Sequence, residues 1–213
     1  MAQDRGAALR ALHRPGDPFV LMNAWDVGSA RLVAALGAQA IGTTSAGFAF
    51  TLGLPDGARI SRAQAMDHAS ALVAATPLPV SADLENGYAE TPEGVAETIR
   101  LAGEAGLAGA SVEDTDLPGD GAYWFDLATD RIRAAAAAST LTGTRADGLA
   151  AVGVARISLG SGLARVAQAA LLAAARAALA GDFRPLAGGA GGAEIDSLLA
   201  RGAVHLPGEV DQD

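Results

Sequence analysis

A chain of 213 residues, half of them apolar, is long enough to bury a substantial core as one globular domain. Its 24 acids against 15 bases leave a net charge of −9, which disfavours a nucleic-acid partner and leaves small anions to a locally positive or metal-centred site. Every base is Arg and Cys is absent, so Schiff-base lysine chemistry, cysteine nucleophiles, thiolate zinc sites and disulfides are excluded.

The N-terminus, MAQDRGAALRALHRPGD, has no apolar signal core, and no uninterrupted apolar run reaches the roughly 18 residues of a membrane span. The expectation is a cytoplasmic protein with no membrane partner. In chain order, a short helix is predicted over 4–13, closed by Pro15-Gly16. An apolar strand over 19–22 runs into Asn23, Ala24, Trp25 and Asp26. Ser29 is predicted to cap the next helix and Gly37 to end it. A second strand, 40–44, leads into a glycine- and hydroxyl-rich loop over 43–47 and a long irregular segment through Gly57. A helix over 62–75 precedes a strand over 79–84. Thr91 as cap, Pro92 in the first turn and Glu93 beside it predict a helix to Ala105, with Gly106 behind. Further strands are predicted at 109–112, 140–144 and 155–159. An Ala-rich helix over 163–179 is more apolar than a one-sided surface helix requires, and so suits packing on another chain. Gly188 to Gly192 read as a flexible link to a short tail helix over 194–199.

The phrase of helix, glycine and strand recurs at 36–41, 105–110 and 152–157. Such an αβ repeat argues for parallel βα units, and strands without polar alternation argue for burial on both faces. The polar residues Asp26, Ser45, Asp83, Glu85, Glu113 and Arg145 each follow a predicted strand, on the rim where barrels and open α/β sheets alike place ligands. The densest stretch is VSADLENGY at 80–88. On a strand Asp83 and Glu85 point to the same side, and adjacent like charges are costly unless a cation or a proton sits between them. A divalent metal is one reading; a capping acid beside a solvated one is the other. Taken alone, Ser45 either caps a helix or receives an oxyanion, Arg145 is either a surface cation or a carboxylate clamp, and Asp56 in Leu-Pro-Asp-Gly is a turn residue. His13, His68 and His205 have no spacing that suggests a ligand set.

NAWD at 23–26, TTSAG at 43–47, LGLPD at 52–56, ADLENGY at 82–88, VED at 112–114, LTGTRAD at 141–147 and VGVARISLG at 152–160 follow one another in order. Together they resemble the isocitrate lyase and phosphoenolpyruvate mutase superfamily over most of the first 185 residues. The resemblance implies an α/β fold of the (β/α)8 TIM-barrel type over 1–186, followed by a glycine-rich link and tail over 187–213. It also implies Mg2+ (or Mn2+) as cofactor, a small 2-oxo acid as substrate, bond-making or bond-breaking beside an enolate, and a homo-oligomer in which the last barrel helix is exchanged between subunits. By position, Asp83, Glu85 and Glu113 match the metal carboxylates, and Asp56 matches the acid that holds metal-bound water. Ser45 with the amides of Ala46 and Gly47 matches the loop that receives a substrate oxygen, and Arg145 matches the arginine of the fifth strand. Two departures bear on function. The loop after Glu113-Asp114 lacks the Lys-Lys-Cys-Gly-His motif of the cleaving lyases, which points to the branch of phosphonopyruvate chemistry and oxaloacetate decarboxylation. The short interval from Arg145 to Val152 leaves no room for strands six and seven, so about six βα units are expected. A degenerate barrel serving as a binding or structural subunit is the alternative.

Overall fold

The computed structural model describes residues 4–14, 17–57, 59–116, 121–138 and 156–203. Helix α1 (Arg5–Leu12) is capped by Asp4, whose carboxylate accepts from the Ala7 amide. Its Leu9 packs with Phe19, Leu21, Ala40 and Ala108, so that α1 plugs the N-terminal ends of the strands. Strand β1 (Phe19–Asn23) is followed by α2 (Val27–Ala35). The cap of α2 is Asp26 and not Ser29: Asp26 accepts from the Ser29 amide at 2.7 Å while the Ser29 hydroxyl receives the Asp26 amide, a reciprocal capping box. Ser29 takes part in the cap three residues on, at the third position of the helix.

Strand β2 (Ile41–Gly42) is shorter than expected, because Thr44 already caps a helix, α3 (Ser45–Thr51), inside the stretch read as loop. Helix α4 (Arg62–Ala75) has the predicted bounds, set by a Ser61–Gln64 capping box. Strand β3 (Val80–Asp83) is followed by α5 (Pro92–Glu104), capped by Thr91 with Pro92 in its first turn as expected. After β4 (Gly109–Ser111) an irregular loop gives way to an antiparallel hairpin of β5 (Thr115–Asp116) and β6 (Gly121–Ala122). Helix α6 (Phe125–Ala138) covers a stretch to which the sequence reading gives no element. Strand β7 (Arg156–Ser158), α7 (Gly162–Leu179), a 3-10 turn (Arg184–Gly188) and α8 (Gly192–Gly202) complete the described chain. The strand predicted over 140–144 lies outside the described residues.

The sheet runs β4-β3-β2-β1-β7 and every neighbouring pair is parallel. The first four strands lie in chain order and the last one returns to the far side of β1. A doubly wound sheet reverses its order at a switch point, whereas a barrel adds strands in one direction until the last meets the first. The order seen is that of a barrel arc. Ile41, Val80, Ala82 and Leu84 pack under Ala30, Val33, Ala69, Leu72 and Ala102 of the covering helices, each of them under one-tenth exposed. Burying side chains of this kind stabilises the fold by about 25 cal/mol per Å2 of apolar surface.

The two C-terminal helices behave differently. Gly202 lies against α2 so closely that a Cβ there would stand 1.8 Å from the Arg31 carbonyl oxygen, so only glycine permits this contact between α8 and α2. Along the 18 residues of α7 only Ala164 is buried, and Val166, Leu171, Leu172 and Leu179 are exposed. Among the described helices α7 alone is long and apolar enough by length and composition to cross a membrane, although Arg165 and Arg176 interrupt its run.

Candidate active site

The C-terminal ends of β1, β2 and β7 are tied together by one buried side chain. Asn23 donates from Nδ2 to the Thr43 carbonyl at 2.7 Å, and its Oδ1 accepts from the Ser158 hydroxyl and from the amides of Leu159 and Gly160 at 3.0–3.1 Å. Truncating it leaves several buried polar groups without partners, each costing about 1–3 kcal/mol. Asn23→Ala is therefore expected to lower the unfolding free energy by about 3 kcal/mol in urea titration, with a smaller midpoint and an unchanged slope.

Asp83 stands at the last residue of β3, with its amide held by the Thr43 hydroxyl at 2.8 Å. Its carboxylate is a hub: Oδ2 accepts from the amide and hydroxyl of Ser45 at 3.0 and 2.8 Å, and Oδ1 accepts from the Glu85 amide at 3.2 Å. The predicted alternation of Asp83 and Glu85 along one strand does not hold. The strand ends at Asp83, and Glu85 takes φ +47°, in the left-handed region that a side chain other than glycine occupies only under constraint. A turn, and not a pleat, brings the second acid into place.

Glu85 is 9 % exposed. Its carboxyl is pushed up from 4.5 to about 7, first by burial and then by the negative charges of Asp83, Asp56 and Glu113. Three carboxylates thus disfavour the charge on one buried carboxyl, a cost that a cation or a proton relieves. The Tyr88 hydroxyl is also raised, first by burial and then by Glu85 and Asp83. Glu113 is exposed and accepts from the Thr115 hydroxyl, while its amide donates to the Glu85 carbonyl at 2.7 Å and so docks the end of β4 on the β3 turn. Asp56 is exposed in the segment after α3.

Ser45 is the first residue of α3, and the Gly47 amide donates to Thr44 Oγ1 at 3.3 Å; Ala46 and Gly47 are buried. Arg145 lies outside the described residues. Sequence reasoning passed over His68, which stacks on Phe48 with ring centroids 3.9 Å apart and donates from Nε2 to the Trp25 carbonyl at 2.8 Å. Burial lowers its pKa, so the ring is neutral with Nδ1 as acceptor. It shares a small cleft with Thr43, Ser45, Asp83 and Tyr88. Nothing in the local sequence marks His68, because its neighbours in the cleft come from three other elements.

Among the described residues no three acid, histidine or cysteine side chains stand close enough to enclose an ion directly. The donor chemistry nevertheless fits a hard divalent cation that keeps several waters: all are carboxylate oxygens, and Asp83, Asp56 and Glu113 each disfavour the charge on Glu85. Soft or imidazole-seeking metals find no matching donors in this acid group.

The family model of phosphoenolpyruvate phosphomutase matches residues 9–147. The chain belongs to this family. Within the phosphoenolpyruvate mutase and isocitrate lyase superfamily, an oxaloacetate decarboxylase of Pseudomonas putida is 33% identical over 118 residues, covering 54% of this chain and 40% of that protein. An uncharacterized protein of Mycobacterium tuberculosis is 43% identical over 106 residues, covering 49% of this chain and 39% of that one. The chain thus spans about 40% of the length of these curated relatives. The crystal structure of a putative lyase/mutase from Burkholderia cenocepacia superposes with a TM-score of 0.81 at 35% identity, over 92% of this chain and 96% of that one. The parallel α/β architecture matches barrels of the superfamily, in keeping with the strand order described above.

Proposed function

We propose that the protein is a Mg2+-dependent lyase-type enzyme that breaks or rearranges a C–C or C–P bond beside a 2-oxo acid, of the oxaloacetate decarboxylase or phosphonopyruvate kind. What supports this reading is the acid-rich rim: Asp83 ends β3, Glu85 sits buried in the turn after it, the Glu113 amide docks on that turn, and Asp83, Asp56 and Glu113 all raise the Glu85 carboxyl. Asp83, Glu85 and Glu113 would hold the cation, directly or through water, with Asp56 reaching it through water. A dication there supplies a sink for the negative charge that develops on the keto oxygen as the neighbouring bond breaks. Ser45 and the amides at the start of α3 orient a substrate oxygen, at the cost of exchanging part of the Ser45–Asp83 contact. Arg145 pairs with the substrate carboxylate in a two-pronged contact, and neutral His68 with Phe48 forms one wall of the cleft.

Decarboxylation needs no cysteine acid or base, which suits a chain without Cys. The protein is expected to turn over oxaloacetate or a related 2-oxo acid slowly and only with Mg2+ or Mn2+, and Arg145→Ala is expected to reduce kcat/KM at least about tenfold, or 1.4 kcal/mol, through lost orientation. Turnover that persists in excess chelator would overturn the assignment. Calorimetry with Mg2+ in the presence and absence of oxalate, an enolate mimic, separates this enzyme from a barrel retained only as a binding or structural subunit: the enzyme binds oxalate only with metal.

We further read the protein as a cytoplasmic homo-oligomer in which α7 packs on a second copy. Its exposed Val166, Leu171, Leu172 and Leu179 support this. Light scattering is expected to give a mass at least twice that of the chain, and charges placed at Leu171 and Leu172 to return it to the monomer.

A further inference from the structure

Six residues, Glu85 to Glu90, turn the chain from β3 towards α5, and two of them, Glu85 and Tyr88, hold left-handed backbone angles of +47° and +52° without being glycine. Between them Gly87, at +78°, has no room for a side chain, since a Cβ there would meet Val95 at 3.0 Å. The Gly87 amide closes the turn on the Leu84 carbonyl and the Tyr88 amide bonds Asn86 Oδ1, which leaves the turn's own carbonyls to be fixed from outside. The Glu85 carbonyl receives the Glu113 amide, and the Gly87 carbonyl receives the Thr98 hydroxyl at 2.6 Å. The remaining grip comes from one side chain on α6. Arg131, 1 % exposed, donates from Nη1 to the carbonyls of Ala89 and Glu90 and from Nη2 to that of Asn86. The Tyr123 ring lies over its guanidinium, 4.0 Å from the ring centroid to Cζ, and the Tyr123 hydroxyl accepts from the Asn86 side-chain amide at 3.1 Å.

A buried guanidinium is costly to desolvate, and an apolar residue would fill the same space more cheaply. What the planar fork adds is several donors in fixed directions, which can hold three carbonyls of one turn at once. We propose that Arg131 is a positioning residue: it locks the 85–90 turn in the conformation that presents Glu85 to the cation, and Tyr123 ties the β5–β6 hairpin into the same lock. The inference rests on the metal-site reading of Asp83, Glu85 and Glu113 given above. The lock explains how an acid two residues beyond the strand can face the site at all, and it makes the hairpin's position a determinant of cation affinity.

The test compares wild type, Arg131→Met, Tyr123→Leu and, as a control, Arg133→Met, whose exposed guanidinium pairs only with Asp130 on the same helix among the described residues. Two quantities are read: the dissociation constant for Mn2+ from the electron paramagnetic resonance signal of the free ion, and backbone amide exchange of the peptide spanning 84–90. Arg131→Met is expected to weaken Mn2+ binding at least about tenfold, Tyr123→Leu about threefold, and Arg133→Met not at all, as for other groups that orient metal ligands. Exchange in the 84–90 peptide is expected to quicken in the same order. A variant that melts earlier yet binds Mn2+ with the wild-type constant would show a purely structural role and overturn the proposal. If Arg131→Met does not fold, Tyr123→Leu gives the same two readings from a partly exposed position. A wild type that takes up no Mn2+ overturns the metal reading and with it this proposal, whereas unchanged exchange in both variants overturns the lock alone.

Discussion

Raising the pH from 4.5 to 8 without divalent cations is expected to lower the melting temperature of the protein, and saturating Mg2+ to restore it. The cause is Glu85, whose carboxyl is raised from 4.5 to about 7 by burial first and then by Asp83, Asp56 and Glu113. Below the unfolded value the group carries its proton in both states and costs nothing. Between 4.5 and 7 the unfolded chain has lost that proton while the folded one keeps it, so each unit of pH favours unfolding. Above about 7 both states are ionised, and the penalty levels off near 3 kcal/mol, or roughly 6–12 °C for a chain of this size. A bound dication removes the penalty by pairing with the charge, and adds its own binding free energy to the folded state. Calorimetric melting at pH 5 and pH 8 checks this, with Glu85→Gln as the decisive variant: it is expected to flatten the pH dependence over this range and to abolish the Mg2+ effect.

Asp83→Asn is expected to weaken Mn2+ binding at least about a hundredfold, equivalent to about 2.7 kcal/mol. Asp83 is the best-held acid of the group, with three donors on its carboxylate, so its loss cannot be made good by rearrangement of a mobile side chain. The neutral amide removes a charge from the site and offers one acceptor oxygen where two are used, so either the Ser45 or the Glu85 amide loses its partner. It also removes the leading charge effect on Glu85, so the same variant is expected to show a smaller loss of melting temperature between pH 5 and 8 than wild type. The variant is thus expected to be less sensitive to pH without cation and less able to gain from cation. A variant that bound Mn2+ normally would remove Asp83 from the site.

Local signals served well where the chain sets its own structure. Thr91 with Pro92 marked the start of α5 because a cap is made by residues a few positions apart. The parallel strand order followed from the recurrence of helix, glycine and strand. Reading failed where distant partners decide. TSAGFAF looks like a loop by its glycine and hydroxyls, yet Thr44 caps it as a helix that Asp83 holds at its first residue. Glu85 does not alternate with Asp83 along a strand as expected: its left-handed turn is held by the Glu113 amide and, at Asn86, Ala89 and Glu90, by Arg131, more than 40 residues away. Arg131, His68 and Asn23 gave no signal of their own, because each acts through groups that only folding brings near.

The pairing of β7 with β1 also governs how the protein is made. Asn23 and Ser158, which join these strands at the rim, are 135 residues apart in the chain. At about 5–20 residues per second, the ribosome needs roughly 7–27 s to deliver the second after the first. Over that interval β1 can recruit β2 but not its other neighbour, so one backbone edge stays unpaired, with apolar residues along it, in a chain that has already begun to collapse. The nascent protein therefore passes through a sticky half-sheet whose lifetime is set by translation speed. Synonymous changes that slow decoding between codons 24 and 158 are expected to raise the insoluble fraction without altering the finished molecule.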